Sequence, residues 1–424
     1  MFDISKDKRY FLVDGEPGFY LADTCWSAFT NISDEDWQYY LSVRKQQGFN
    51  VIQINMLWQW DSSATNLALL PFGKNADGTF DFSKRNDAYF DRAVRMVAQA
   101  RDYGITVALV LLWCNYLPDT WATKLKATSL FPLDLVEEYA EYIAQRFAKY
   151  QPIYIISGDT DFPNDTVIEY YERALNAVKR VDPNGLTTLH IQGRADSLPK
   201  RLQNNSGLDF YMYQSGHNSA YQETTYLLAE KFAGEQPQKP VINSEPCYEQ
   251  MGYSRKVYGR FNRFDVRRAA WQSVLSGASA GVTYGAHGIW SWHTASEDFD
   301  SSVGEAFEPP YDWHTALHFE GAWDYAYIKT FFESHHLHDI KPCQDIILGS
   351  PEIRAAQHEQ AIYIYLPSNI KLQLKGDYQQ YKISAVHLET KQTSMLDAKY
   401  NEDKQITTLA MHPFIGDALY ILEK

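Results

Sequence analysis

Two acidic residues stand where a carboxylate is hard to explain as structure. Asp159 follows Gly158 at the end of an apolar run containing Ile153, Ile155 and Ile156, and Glu245 ends a second run just before Pro246. A carboxylate on the lip of a buried strand is costly unless it is solvated, paired or used. Two of them, at the carboxyl ends of separate strands, suggest acid–base chemistry between facing carboxyl groups. Each has a structural alternative. Asp159 could cap the helix that follows or accept loop amides, and Asp161 reads as a loop or cap residue. Glu245 is harder to explain that way, because the strand before it is apolar and no adjacent base offers an ion pair.

The elements that must position these acids repeat eight times. The expected strands are FYLAD (19–23), NVIQIN (50–55), TVALVLLW (106–113), IYIISGD (153–159), TTLHIQ (187–192), DFYMYQ (209–214), PVINSE (240–245) and AGVTYGA (280–286). Helices are predicted at about 34–47 after a Ser33 cap, 87–103, on the face Val136, Tyr139, Ala140, Ile143 and Phe147, and at 165–181. Shorter ones are predicted near 197–204, 225–233 and 266–276, with a last helix at about 314–333. Strands alternating with helices pair in parallel, and eight units imply a closed (β/α)₈ barrel. An open doubly wound sheet is the alternative, but no Gly-rich turn follows the first strand. Residues 1–18 read as a small hairpin ahead of the barrel.

From about residue 345 the texture changes to short runs such as IYIYL, IKLQL, YKISAV and ALYIL, several alternating with period two. We expect a barrel over 1–340 and a small antiparallel β domain over 341–424. Leu372, Leu374, Tyr420 and Leu422 are expected to pack that domain on the barrel.

On a barrel, strand-end residues share one bowl at the C-terminal face. In order these are Asp23 and Trp26; Gln53, Asn55 and Trp58; Trp113 and Asn115; Asp159 and Asp161; His190 and Gln192; Tyr213, Gln214 and His217; Glu245; and His287, Trp290 and Trp292. Amides that hydrogen-bond hydroxyls and indoles that cover C–H faces suit a polyhydroxylated neutral ligand. Taken singly, the Trp residues read as core or rim, and His190 and His217 as structural histidines. The loop 287–313 leaves from the catalytic face and is expected to wall the site, with Trp290 or Trp292 stacking on the sugar. A metal barrel would carry a His-x-His pair at its first strand, where this chain has Asp23 and Cys25. His335 and His336 lie beyond the last barrel helix, and no zinc or EF-hand spacing occurs, so neither metal nor cofactor is expected. No nucleophile elbow occurs either.

Composition narrows the partners. The 424 residues carry a net charge of −14, which argues against sequence-independent nucleic-acid binding. No run of about 18 apolar residues suggests a membrane span. The N-terminus has no apolar core or small-residue cleavage site, and the four cysteines show no paired spacing. A cytoplasmic location is therefore expected. Aromatics make up 15% of the chain, an abundance suited to sugar-stacking platforms. No residue pattern specifies an oligomeric state.

The segments LADTCW (21–26), GFNVIQIN (48–55), ISGD (156–159) and SEPCYE (244–249) resemble those of the apiosidase-like glycoside hydrolases. That is a (β/α)₈ family in the clan of retaining glycosidases, and the resemblance runs from about residue 8 to 340. It implies a glycosidase with Asp159 as acid/base and Glu245 as nucleophile, acting on a small oligosaccharide or glycoside. It also implies that the C-terminal piece is the β-sandwich commonly appended to such barrels. In a retaining enzyme the two carboxyl groups stand roughly 5–6 Å apart. The alternatives are an inverting glycosidase with the same acids and a carbohydrate-binding barrel without turnover. One departure stands out: much of the clan has Asn-Glu at the end of strand four, the Asn contacting the substrate 2-hydroxyl, where this chain has Gly158–Asp159.

Overall fold

The computed structural model describes residues 1–58, 63, 69–126, 129–254, 257–299 and 308–424. Eight parallel strands form one near-closed sheet: Tyr20–Thr24, Val51–Asn55, Thr106–Trp113, Ile153–Gly158, Thr187–Thr188, Tyr211–Tyr213, Val241–Asn243 and Gly281–Tyr284. They neighbour one another in chain order, and the eighth lies beside the first with Gly281 opposite Tyr20. All eight expected strands are present. Every residue of the first, second, fourth and eighth is buried, as a sheet covered on both faces requires.

The ladder is missing between the fifth and sixth strands, where other bonds close the ring. Asp209 N donates to Thr187 O (2.9 Å), Thr188 Oγ1 to Phe210 O (2.7 Å) and, at the mouth, Arg194 N to Gln214 O (2.9 Å). The fifth strand is shorter than its sequence suggests because side chains replace its backbone pairing. Ser157 Oγ donates to the His190 carbonyl (2.9 Å), and one bridge, Thr160 to Ile191, follows.

The helices form the outer layer. Ser33 caps Asp34–Gln46 by accepting from Asp36 N (3.1 Å), and Asn164 caps Asp165–Val181 by accepting from Val167 N (3.0 Å). The expected last helix is two pieces, Trp313–Ala316 and Gly321–Ser334. It breaks where Glu249 Oε2 accepts from Gly321 N (2.9 Å) and leaves no room for a side chain at 321. A hairpin, Phe72–Lys74 with Phe80–Arg85, is inserted between the second and third strands. Residues 1–18 make a three-stranded antiparallel sheet rather than a plain hairpin. Its Phe11 ring meets Phe210 (5.1 Å) and Tyr20 (5.9 Å) at the barrel wall. Among the described residues no helix is long and apolar enough to cross a membrane.

The C-terminal β domain is a six-stranded and a four-stranded antiparallel sheet. Leu372, Leu374, Tyr420 and Leu422 do not face the barrel; they fill the core between the two sheets. The barrel is met by the other face of the six-stranded sheet, through Tyr363, Tyr365, Leu419 and Ile421. The final strand is buried from Ala418 to Leu422, so its pattern does not reveal which face meets which partner. A buried ion network joins the two parts. Arg267 holds Asp417 through two bonds (2.9 and 2.6 Å) and Asp324 through a third (2.8 Å). Arg263 (2.7 Å) and Lys391 (3.0 Å) complete the cluster around Asp324. Burial opposes ionisation of Asp324, but these cations hold its carboxyl below the usual range.

Candidate active site

The fourth strand delivers Asp159 through a constrained step. A Cβ on Gly158 would lie 2.3 Å from the Trp113 ring, so no side chain fits there. The indole takes the space an Asn would need before the acid. Asp159 itself is left-handed (φ 49°), a conformation Asp tolerates better than most residues. Its N–H then donates to His190 Nδ1 (3.0 Å), and its carbonyl accepts from Trp121 Nε1 (2.6 Å). The helix cap is Asn164, which removes the capping role from Asp159. Asp161 is a loop acceptor, taking Trp121 N (3.3 Å).

The seventh strand delivers Glu245, which is only 6% exposed. Asn243 anchors the strand end by donating to Ser215 Oγ (2.9 Å) and Ser273 Oγ (3.0 Å). His217 Nε2 lies 2.9 Å from Glu245 Oε1, and His190 Nε2 lies 2.9 Å from Oε2, the latter close but poorly aligned for a hydrogen bond. Burial alone would push this carboxyl up. The two imidazoles outweigh it and hold Glu245 ionised, well below the usual carboxylate range.

Aromatic rings fix both imidazoles. His190 lies against Trp113 (5.7 Å, 31°) and the edge of Trp26 (5.6 Å, 77°), and His217 lies on Tyr248 (4.4 Å). Trp26 Nε1 donates to the Tyr248 hydroxyl (3.2 Å). Burial and the Glu245 charge push that hydroxyl well above its usual pKa, so it stays protonated. Tyr248 needs Gly285 beneath it, where a Cβ would stand 2.0 Å from its ring. Beside Trp290, burial pushes His287 down to about 3, leaving it neutral. Its Nε2–H donates to Glu308 O (2.6 Å), so Nδ1 accepts from Trp290 Nε1 (3.0 Å) and orients that indole.

Several of these groups line a cavity of about 930 Å³ counting the open space at its mouth. Of the residues singled out from the sequence, Asp159, Glu245, Trp26, Trp113, Gln192, Gln214, His217 and Trp290 line it. His190 is fully buried behind the floor, against Glu245. Trp290 brings the loop after the eighth strand onto the wall, while residues 300–307 of that loop lie outside the described residues.

The other candidates serve elsewhere. Asp23 points out of the barrel, paired with Arg44 (2.6 Å) and accepting from Tyr40 (2.6 Å) on the first long helix. Gln53 lies in the barrel interior between Tyr20 OH (3.3 Å) and Ser244 O (3.2 Å). Buried Asn55 accepts from Leu57 N (3.2 Å), and half-buried Trp58 packs on the core. Tyr213 donates to Thr225 O (2.8 Å) and stacks on Phe232, facing a helix. Trp292 stacks on Trp313 (4.3 Å, 19°). Asn115, also singled out, is buried and off the cavity wall.

The cavity also takes in Trp121, Arg194, Tyr248 and Met251, which strand ends do not reveal. Tyr248 was within reach of sequence reasoning, three residues past Glu245 in SEPCYE. Arg194 lies with its guanidinium 4.7 Å over the Tyr221 ring. Among the described residues no group of three or more His, Cys, Asp or Glu converges as a metal site.

Solved structures share this architecture. One described only as a glycoside hydrolase superposes with a TM-score of 0.81 at 20% identity, covering 100% of this chain and 96% of its own. A glycoside hydrolase family 5 protein from Bacteroides vulgatus gives 0.81 at 20% identity, covering 100% and 93%. A family 5 mannosidase from Rhizomucor miehei gives 0.53 at 11%, covering 79% and 98%. At these identities the likeness is one of fold. No curated protein matches the chain. Residues 5–339, which hold the whole barrel and its cavity, match the apiosidase-like catalytic domain, and the chain belongs to that family of glycoside hydrolases.

Proposed function

We propose that the enzyme is a retaining glycosidase that removes a sugar from the non-reducing end of a neutral oligosaccharide or glycoside. Glu245 attacks the anomeric carbon as Asp159, in its protonated form, gives its proton to the leaving oxygen. The glycosidic C–O bond breaks, and a glycosyl ester forms on Glu245. The Asp159 carboxylate then takes a proton from water, whose oxygen attacks the anomeric carbon and frees Glu245.

One observation carries this reading: Glu245 is a buried carboxylate kept ionised by two imidazoles on the cavity that Asp159 also lines. Gln192, Gln214 and Asn218 supply the amides, and four indoles, Trp26, Trp113, Trp121 and Trp290, the apolar platforms that a neutral sugar would use. The reading expects roughly 5–6 Å between the two carboxyl groups, where an inverting pair would stand farther apart. The experiment is a panel of aryl glycosides and oligosaccharides, with the first-formed anomer identified by proton NMR. Release with retained configuration supports the mechanism, and inverted product sinks it.

Division of the chain after residue 340 belongs to the same proposal. So does a cytoplasmic location, which four free cysteines, three of them buried, favour. Cell fractionation tests the location.

A further inference from the structure

The His190 side chain touches both acid-bearing segments. Its Nδ1 accepts the Asp159 N–H (3.0 Å), and a ring nitrogen that accepts an amide proton carries none of its own. The single ring proton is therefore on Nε2, the atom 2.9 Å from Glu245 Oε2. The direction of the ring is fixed. Trp113 and Trp26 block rotation, and the Ser157 hydroxyl holds the His190 carbonyl (2.9 Å).

We propose that His190 is a positioning residue that ties the backbone of Asp159 to the carboxylate of Glu245, so that acid and nucleophile are held as one unit. The proposal rests on the roles given to the two acids above. It also explains two oddities of the fold. The fifth strand gives up its backbone ladder where His190 begins to bond through its side chain, and Asp159 takes a left-handed conformation that presents its N–H to that ring. The other ionisable groups around Glu245 are His217 from beyond the sixth strand, Tyr248 from its own loop, and Asp159 and Arg194 on the cavity wall.

The two halves of the link separate by substitution. The amide oxygen of Asn sits where Nδ1 sits, so His190→Asn keeps an acceptor for Asp159 and drops the Nε2 group that lies against Glu245 Oε2. The amide nitrogen of Gln reaches where Nε2 sits, so His190→Gln keeps the donor and drops the acceptor. Two readouts apply: the pH titration of Glu245, from the carboxylate infrared bands lost in a Glu245→Gln reference, and kcat/KM against pH and leaving group. In His190→Asn the Glu245 midpoint should rise, the acid limb should move to higher pH, and kcat/KM should fall roughly ten- to a hundredfold. In His190→Gln the midpoint should stay, with a loss confined to poor leaving groups that need Asp159.

The infrared titration needs no substrate, so it tests the link even if the glycosidase roles of the acids fail. An unmoved Glu245 midpoint in His190→Asn overturns the proposal. If that variant does not fold, His190→Gln decides, and wild-type rates across all leaving groups would overturn it.

Discussion

Two buried clusters of charge in this molecule are built to opposite ends. At the join between barrel and β domain, Asp324 and Asp417 are answered by Arg263, Arg267 and Lys391, so each acid is bonded to a guanidinium. On the cavity floor Glu245 meets two imidazoles, one aligned and one not, and the Tyr248 hydroxyl, and it opens onto the cavity. The first arrangement is spent on holding. The second keeps a carboxylate ionised while leaving it available, because the imidazoles favour its charged form and its oxygens still open onto the cavity. A buried acid therefore reads as structural or chemical from the partners it is given.

Substitution should separate the clusters cleanly. Glu245→Gln should cut kcat/KM by roughly 10⁴-fold or more, a kinetic loss far larger than its effect on Tm. Retained activity in that variant would end its assignment as nucleophile. Asp324→Asn should do the reverse, costing about 3–5 kcal/mol of stability because Arg263 and Arg267 lose a buried partner. Denaturant unfolding measures it, and kcat/KM of the folded fraction should match wild type.

A second contrast concerns two indoles of one loop. Trp290 lines the cavity, and Trp290→Ala should lower kcat/KM roughly tenfold or more. Trp292 stacks on Trp313 instead, so Trp292→Ala should lower Tm and spare kcat/KM. An equal kinetic loss in both variants would remove the distinction.

The smallest effect is in acid. The Glu245 carboxyl is depressed in the folded protein, so its ionised form stabilises the fold fully above its unfolded pKa, near 4.3. That stabilisation is lost as the pH falls through the lower folded value. Glu245→Gln should therefore flatten the acid side of the Tm–pH curve, and so should Asp324→Asn, which is depressed in the same direction. A wild-type slope in Glu245→Gln would mean that the imidazoles do not favour the charged form.

The barrel was legible because its strands are continuous apolar runs, and the two acids because they interrupt those runs at one end. The face of each strand-end residue was not legible. Successive residues of a strand point to opposite sides, and both sides of a barrel strand are buried. Asp23 and Tyr213 thus look like mouth residues but face helices. The same ambiguity hid which side of the final strand meets the barrel. Trp121 opens a five-residue helix, Trp121–Leu125, and Arg194 lies in a turn; both are too short for a period to operate, and their place on the cavity is set by tertiary contacts.

The close approach of Trp113 to Gly158 also limits the routes by which this site can change. An Asn at position 158, as in much of the wider clan, would collide with the indole, so that substitution is closed while Trp113 remains. Trp113 would have to become smaller first. That earlier step removes a ring face from His190 and opens the floor behind Glu245. Each single-residue path therefore crosses a damaged intermediate, and Gly158 and Trp113 can be exchanged only as a pair.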